Sequence, residues 1–190
     1  MSLKLFFVIL GATPPGRNTE QHDVFFGIGE SLSDLLPDMN AFWPGAKLHI
    51  DSWRAVTEVN GYKVSIQESG TDAANDSNKL FFLNLGGYKP EDMEEYHYKL
   101  VCMAANKGDA IKQAKETAFY KHTGFKGATS HIDDKYGIDV DDIHEIKDIL
   151  PSSLKTKYDI ILEEPTGEIA QDELHIGYVK FSSLIKNSTA

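Results

Sequence analysis

Residues 4–11 read Lys-Leu-Phe-Phe-Val-Ile-Leu-Gly, and residues 79–86 read Lys-Leu-Phe-Phe-Leu-Asn-Leu-Gly. Nine of the nineteen positions from Lys4 to His22 are identical at this constant offset of 75 residues, where ordinary residue frequencies predict about one. The later matches are Pro15 with Pro90, Glu20 with Glu95, and His22 with His97. This pattern predicts an internal duplication.

Both copies of the repeated stretch predict a central strand. Apolar side chains point to both faces, with Leu5, Phe7 and Ile9 alternating with Phe6, Val8 and Leu10. A strand of this kind is covered by other layers on both sides. The repeat also argues against a signal peptide at the N-terminus, because the same word recurs in mid-chain.

Each half is predicted to run strand, strand, helix, strand. The second strands begin near His22 and His97, after loops rich in polar residues. In the second half Asn106 is a candidate N-cap for a helix with apolar spacing at Ala110, Ile111, Ala114, Ala118 and Phe119. In the first half Ser33 or Asp34 is the candidate cap. The third strand carries His49-Ile-Asp51 or His131-Ile-Asp133.

These elements predict an α+β fold with largely antiparallel sheet, a duplicated unit and pseudo-twofold symmetry. Two further strands, at residues 158–163 and 174–181, suggest an added C-terminal hairpin around Pro165-Thr-Gly167. The predicted divisions are repeat 1 at 3–68, a linker at 69–78, repeat 2 at 79–150 and the hairpin extension at 151–190. We expect them to pack as one globular unit.

Composition restricts the class of protein. The formal net charge of −10 over 190 residues argues against binding to nucleic acid or to anionic membranes. Cys102 is the only cysteine, so no internal disulfide can form, and its apolar surroundings predict a buried, inert thiol. A disulfide-free chain of this composition is typical of the cytoplasm.

Three motifs resemble one bacterial family. They are Lys-Leu-Phe-Phe-x-x-Leu-Gly-Gly, Glu-Glu-x-His and His-Ile-Asp-Asp-Lys-Tyr-Gly-Ile-Asp-Val-Asp-Asp, and they are similar to the domain of unknown function 1543. The resemblance covers residues 3–149 as two tandem copies, and the second half fits better. It implies a compact bacterial protein and supplies no activity, cofactor or substrate.

Paired polar residues are the candidate ligand-binding residues. Residues two apart in a strand share a face, so each Glu-x-His and each His-x-Asp pair is expected to project together. The candidates are Glu20, His22, His49, Asp51, Glu95, His97, His131 and Asp133. Imidazole and carboxylate groups bind zinc, iron or manganese, and they also form acid–base pairs. The alternative is structural, with each side chain tied to loop or turn backbone.

Two other sequence patterns give weaker evidence of function. The segment Gly11–Asn18 approaches a phosphate-binding loop but lacks its Lys and Ser/Thr, and two prolines remove backbone donors. The acidic residues between Asp133 and Asp142 lack EF-hand spacing and suggest a solvated turn.

We therefore expect a non-catalytic binding or interaction module. Its partner would be a second copy of itself, as a homodimer, or a small ligand between the repeats. No cofactor is predicted for this reading. The alternative is a metal-dependent enzyme that uses the paired Glu-x-His and His-x-Asp residues with a divalent metal ion.

Overall fold

The computed structural model describes residues 2–70, 78–88, 91, 93–116 and 138–187. The described strands are β1 (Lys4–Ala12), β2 (Gln21–Gly29), β3 (His49–Val56), β4 (Glu58–Val59), β5 (Tyr62–Glu68), β6 (Lys79–Tyr88), β7 (Glu95–Ala104), β8 (Ile138–Glu145), β9 (Tyr158–Glu163) and β10 (His175–Lys180). The helices are α1 (Leu36–Phe42), α2 (Lys107–Lys115), α3 (Ile146–Ile149), α4 (Ser152–Lys157) and α5 (Phe181–Asn187), and Leu32–Leu35 form a 3₁₀ turn. Helices and antiparallel strands together confirm the α+β class.

The chain divides into two compact units. Unit 1 comprises residues 1–74 and 150–190, and unit 2 comprises residues 75–149. Within the described residues, no helix is both long and apolar enough to cross a membrane.

Unit 1 is built on a four-stranded antiparallel sheet with the strand order β10-β3-β1-β2. Strand β1 is interior to this sheet, as its two-sided apolar pattern predicts. One face packs against the 3₁₀ turn, α1 and α5. The core on that face consists of Phe6, Val8, Leu10, Phe25, Leu32, Leu35, Met39 and Ile50. The opposite face of β1 ends in Gly11.

The first helical segment begins earlier than the sequence suggests. The 3₁₀ turn starts at Leu32 with Ser31 as its N-cap, and it runs directly into α1. The Asp34 side chain caps backbone groups that precede it in the chain. Its Oδ2 accepts the N–H groups of Ser31 and Glu30 at 2.8 and 3.0 Å. Pro37 lies in the first turn of α1, where a missing N–H is tolerated.

The predicted C-terminal hairpin is wrong, although both of its strands exist. Strand β9 pairs with β5 in a small sheet of order β4-β5-β9, whereas β10 pairs with β3 in the larger sheet. The segment between β9 and β10 is long enough for the two strands to separate. Each strand therefore pairs with the free edge of a sheet formed by earlier strands. Local apolar patterns predict that a strand forms, but they do not specify which strand it pairs with.

Unit 2 is a three-stranded antiparallel sheet of order β7-β6-β8. Helix α2 packs on one face of it through Ala110 and Ala114, against Phe81, Leu83 and Leu85. Asn106 is its N-cap, as predicted, and accepts the Asp109 N–H at 3.0 Å. Ala118 and Phe119 lie outside the described residues.

The acidic residues from Asp139 to Asp142 are not in a turn. They belong to β8, which pairs with β6 along its length. Val140 and Ile143 pack on the core of unit 2. Three residues apart, they share a face because the extra residue Asp141 lies between them.

Candidate functional site

Gly11 is the centre of the candidate site in unit 1. In the register of the sheet it lies between His22 of β2 and His49 of β3. A Cβ at Gly11 would lie 2.7 Å from Asp51 Oδ2 and would collide with the His49 ring. Because Gly11 has no side chain, the neighbouring side chains fold into the space above it.

A β-bulge brings Asp51 to the same place. Ile9 pairs with Ser52 and Leu10 pairs with Ile50, so Asp51 is the extra residue in β3. Bulges re-aim side chains and are common beside functional sites. Glu20 reaches the group from the residue just before β2.

The four side chains form a ring in which imidazoles alternate with carboxylates. His22 Nε2 lies 3.6 Å from Glu20 Oε2 and 3.2 Å from Asp51 Oδ2. His49 Nε2 lies 3.1 Å from Glu20 Oε1 and 3.2 Å from Asp51 Oδ1. Donor atoms of a tetrahedral zinc site are about 3.3 Å apart when the metal–ligand bonds are about 2.0–2.1 Å long. The four imidazole–carboxylate spacings are close to that value, although each carboxylate approaches the two imidazoles through different oxygens.

Two atoms of the ring are buried without a hydrogen bond among the described residues. They are His49 Nε2 and Asp51 Oδ2. His49 Nε2 is close to two carboxylate oxygens, but these approaches lack hydrogen-bond geometry. An unsatisfied buried polar atom costs about 1–3 kcal/mol. A shared cation would satisfy both atoms.

One side of the ring faces solvent. The side chains of Glu20 and His22 are about half exposed, at 45% and 46%, whereas His49 is 8% exposed. The site therefore has a buried floor and an open mouth.

Tyr178 covers part of the floor and was not found by sequence reasoning. Its ring centroid lies 4.5 Å from that of His49. The β10 register shifts between Ile176 and Val179, and Gly177 has φ of 134°, a conformation that favours glycine. A glycine inside an apolar strand is the signal that could have predicted this bulge.

Unit 2 carries a related cluster. Gly86 of β6 pairs with His97 of β7, and a Cβ at Gly86 would lie 2.7 Å from Glu95 Oε1 and would collide with Asp141. Ligand atoms of Glu95, His97 and Asp141 lie within 4.8 Å of one another. His97 Nε2 is 3.2 Å from Asp141 Oδ2.

Asp141 is a site residue that the sequence did not single out. Asn84 pairs with Asp142 and Leu85 pairs with Val140, so Asp141 is the bulge residue of β8, as Asp51 is of β3. The signal that could have found it is the mixture of acidic and apolar residues at 138–143, which fits a strand with one polar face as well as a turn. The predicted residues His131 and Asp133 lie outside the described residues.

The placement of the predicted residues is therefore mixed. The structure brings together Glu20, His22, His49 and Asp51 in unit 1. It brings together Glu95 and His97 in unit 2, with Asp141 as their third partner. The glycines beneath the two clusters, Gly11 and Gly86, both belong to the repeated stretch of sequence. Their role could not be predicted, because it depends on neighbours that are distant in sequence.

Comparisons with known proteins give a family match and a similar solved structure. Residues 17–66, in the first half of the chain, match the family described as Domain of Unknown Function (DUF1543), in one copy, so the expectation that the second half fits the family better is wrong. No curated protein matches the chain. The chain is similar to the crystal structure of a protein Il1583 from Idiomarina loihiensis, with 23% identity, a TM-score of 0.58, and coverage of 93% of this chain and 97% of that one. The structural likeness shows a shared fold, and the segment that carries the unit 1 cluster supports the resemblance to the DUF1543 family.

Proposed function

We propose that the protein is a metal-binding module and that Glu20, His22, His49 and Asp51 bind one divalent transition-metal ion. The observation that carries this proposal is the ring of two imidazole nitrogens and two carboxylates above Gly11, with nitrogen–oxygen distances of 3.1–3.6 Å. Zinc, iron and manganese accept this mixed set of ligands.

The structural alternative is less well supported by the contacts. If these side chains served to lock loops, each would bond to the main chain. Within the described residues, no hydrogen bond ties the side chains of Glu20, His22, His49 or Asp51 to backbone atoms. Simple ion pairs would also align the imidazole N–H with a carboxylate, and His49 Nε2 does not align with either one.

Metal titration of the full chain tests the proposal. After treatment with a chelator, Zn²⁺ and Co²⁺ binding would be measured by calorimetry, and Co²⁺ ligation by visible absorption. We expect His22→Ala and His49→Ala to lower affinity at the unit 1 site by more than about 100-fold, since loss of a residue that only supports a ligand already costs about 10–100-fold. His175→Ala is the matched control, because this imidazole faces Glu173 at 3.8 Å outside the ring. Unchanged binding in both ring variants would refute the proposal.

A glycine substitution separates metal binding from folding. Gly11→Ala would push the ends of two side chains, His49 and Asp51, out of the ring without striking backbone. We expect folded protein that has lost the unit 1 metal. Gly167→Ala is the control, since a Cβ there meets nothing within 4 Å.

A metal-dependent enzyme is the second candidate function. The half-exposed side chains of Glu20 and His22 favour it, because catalytic metal sites keep a position open to water or substrate. A panel of esters, phosphoesters and amides would be assayed with metal-loaded protein. An activity that disappears in His49→Ala would establish that the protein is a metal-dependent enzyme. Metal binding without activity on any of these substrates would favour the metal-binding module.

We also infer that the chain is an internal duplication with two tandem copies of the family domain. Three observations support it: the nine identities at one offset, the central strand between two antiparallel neighbours in each unit, and the acidic bulge residue opposite a glycine-containing strand in each unit. Separate expression of residues 79–149 tests whether unit 2 folds as a domain.

The homodimer and the cytoplasmic location stay proposals. The single, buried cysteine and the acidic charge support a cytoplasmic protein. Sedimentation equilibrium would measure the oligomeric state, and a monomer at micromolar concentration would exclude the homodimer.

A further inference from the structure

We infer that unit 2 holds a second metal site, formed by Glu95, His97 and Asp141, which prefers harder cations than the unit 1 site does. This inference rests on residues of unit 2 alone and does not depend on metal binding in unit 1. The probe cation we expect it to bind is Mn²⁺.

The geometry of unit 2 supports a site. Three ligand atoms lie within 4.8 Å of one another, and each comes from a different strand position: the start of β7, its third residue, and the bulge of β8. Gly86 provides the space, because a Cβ there would overlap the Asp141 and Glu95 carboxylates. The arrangement of a glycine beneath converging ligand side chains is the same as at Gly11 in unit 1.

A buried oxygen on the same face of the sheet is the second observation. Asn84 lies two residues before Gly86 on β6, on the same face of the sheet. Its Oδ1 is buried and has no hydrogen-bond partner among the described residues, while its Nδ2 donates to Asp142 Oδ2 at 3.2 Å. In unit 1 the matching position is Ile9. Unit 2 therefore offers an uncompensated oxygen where unit 1 has an apolar side chain.

The ligand set determines the preference. The described ligands of unit 2 are one imidazole and two carboxylates, whereas unit 1 offers two imidazoles and two carboxylates. Oxygen-rich sets suit Mg²⁺, Ca²⁺ and Mn²⁺, and additional imidazole favours zinc. We expect the ratio of Zn²⁺ affinity to Mn²⁺ affinity to be smaller at unit 2 than at unit 1.

Electron paramagnetic resonance of Mn²⁺ tests the inference, since bound Mn²⁺ loses the sharp signal of the free ion. The full-length His22→Ala/His49→Ala protein removes both unit 1 imidazoles and leaves the Glu20 and Asp51 carboxylates, so the dependence on Asp141 is what assigns a retained site to unit 2. We expect it to retain one Mn²⁺ site, and we expect Asp141→Asn added to that protein to weaken this site by at least about 10-fold. His144→Ala, an exposed imidazole on the same strand, is the matched control and should change nothing.

The outcomes separate this inference from the proposed function. Mn²⁺ binding that persists in the double variant and fails with Asp141→Asn supports unit 2, whatever happens at unit 1. No Mn²⁺ binding by the double variant at millimolar concentration refutes the second site, as does binding that is insensitive to Asp141→Asn. Because Asp141 is exposed, the asparagine variant is expected to fold, and circular dichroism would verify that it does.

Discussion

At the scale of single residues, both clusters depend on a glycine without a side chain as well as on the polar side chains around it. Gly11 and Gly86 each leave a space on the sheet face, and polar side chains from neighbouring strands enter it. The sequence predicted that Glu20 and His22 share a face, because strand periodicity is local. It could not predict the space between them and Asp51, because that space depends on cross-strand register.

Cys102 provides a pH-dependent prediction at this scale. Burial raises the pKa of its thiol from 9.0 to about 11. Between these values the unfolded chain loses a proton that the folded chain keeps, so the contribution of this thiol to the free energy of unfolding falls as pH rises from about 9 to about 11. Below pH 9 this contribution is constant.

Urea unfolding at pH 7.5, 9 and 10.5 would measure the effect. We expect the stability advantage of the wild type over Cys102→Ala to shrink as pH rises, because only the wild type carries the thiol. The lysines are common to both proteins and cancel in the difference. An advantage that stays constant or grows would contradict the prediction.

At the scale of elements, local patterns predicted what forms but not what it pairs with. The sequence was sufficient to predict β1 from its two-sided apolar pattern and α2 from its N-cap and apolar spacing. Both patterns depend on neighbours within a few residues. The β9–β10 hairpin was wrong because strand pairing depends on which sheet edges are free. The bulges at Asp51 and Asp141 were also beyond local patterns, because they are defined by the partner strand.

The N-cap of α2 gives a prediction at the element scale. Asn106 Oδ1 accepts the Asp109 N–H at 3.0 Å, so Asn106→Ala leaves a helix-terminal donor without its partner. We expect a loss of about 1 kcal/mol in the free energy of unfolding, measured by urea denaturation. Asn106→Ser keeps a capping oxygen and should cost much less. Equal losses in both variants would show that the cap is not the cause.

At the scale of the whole molecule, the C-terminal segment returns to unit 1. Residues 150–190 group with residues 1–74 rather than with the unit that precedes them in the chain. Strands β9 and β10 extend the two sheets of unit 1, and Asp172 fastens the segment between them. Its carboxylate accepts from Thr57 N at 2.9 Å, Thr57 Oγ1 at 2.7 Å and Arg54 at 3.2 Å.

Removing this carboxylate should loosen the C-terminal segment. The Asp172 side chain is 1% exposed, and hydrogen bonds to a charged group contribute about 1.5–3 kcal/mol. We expect Asp172→Ala to lower the free energy of unfolding by about that amount and to accelerate proteolysis near residues 164–174. Glu163→Ala is the control, because its pair with Lys63 is exposed on both sides and should contribute less than about 1 kcal/mol. Similar losses in the two variants would argue against a special role for Asp172.

The amino-acid sequence alone predicted β1, β2, β3, β6, β7, β9 and β10, the capped helix, the buried thiol and most of the candidate ligands, because each of these follows from spacing within one segment. The tertiary structure alone decided that His22, His49, Glu20 and Asp51 meet above a glycine, that Asp141 joins Glu95 and His97, and that β9 and β10 part. The physical reason is that register, bulges and strand partners are set by hydrogen bonds between segments far apart in the chain, and no local periodicity carries that information.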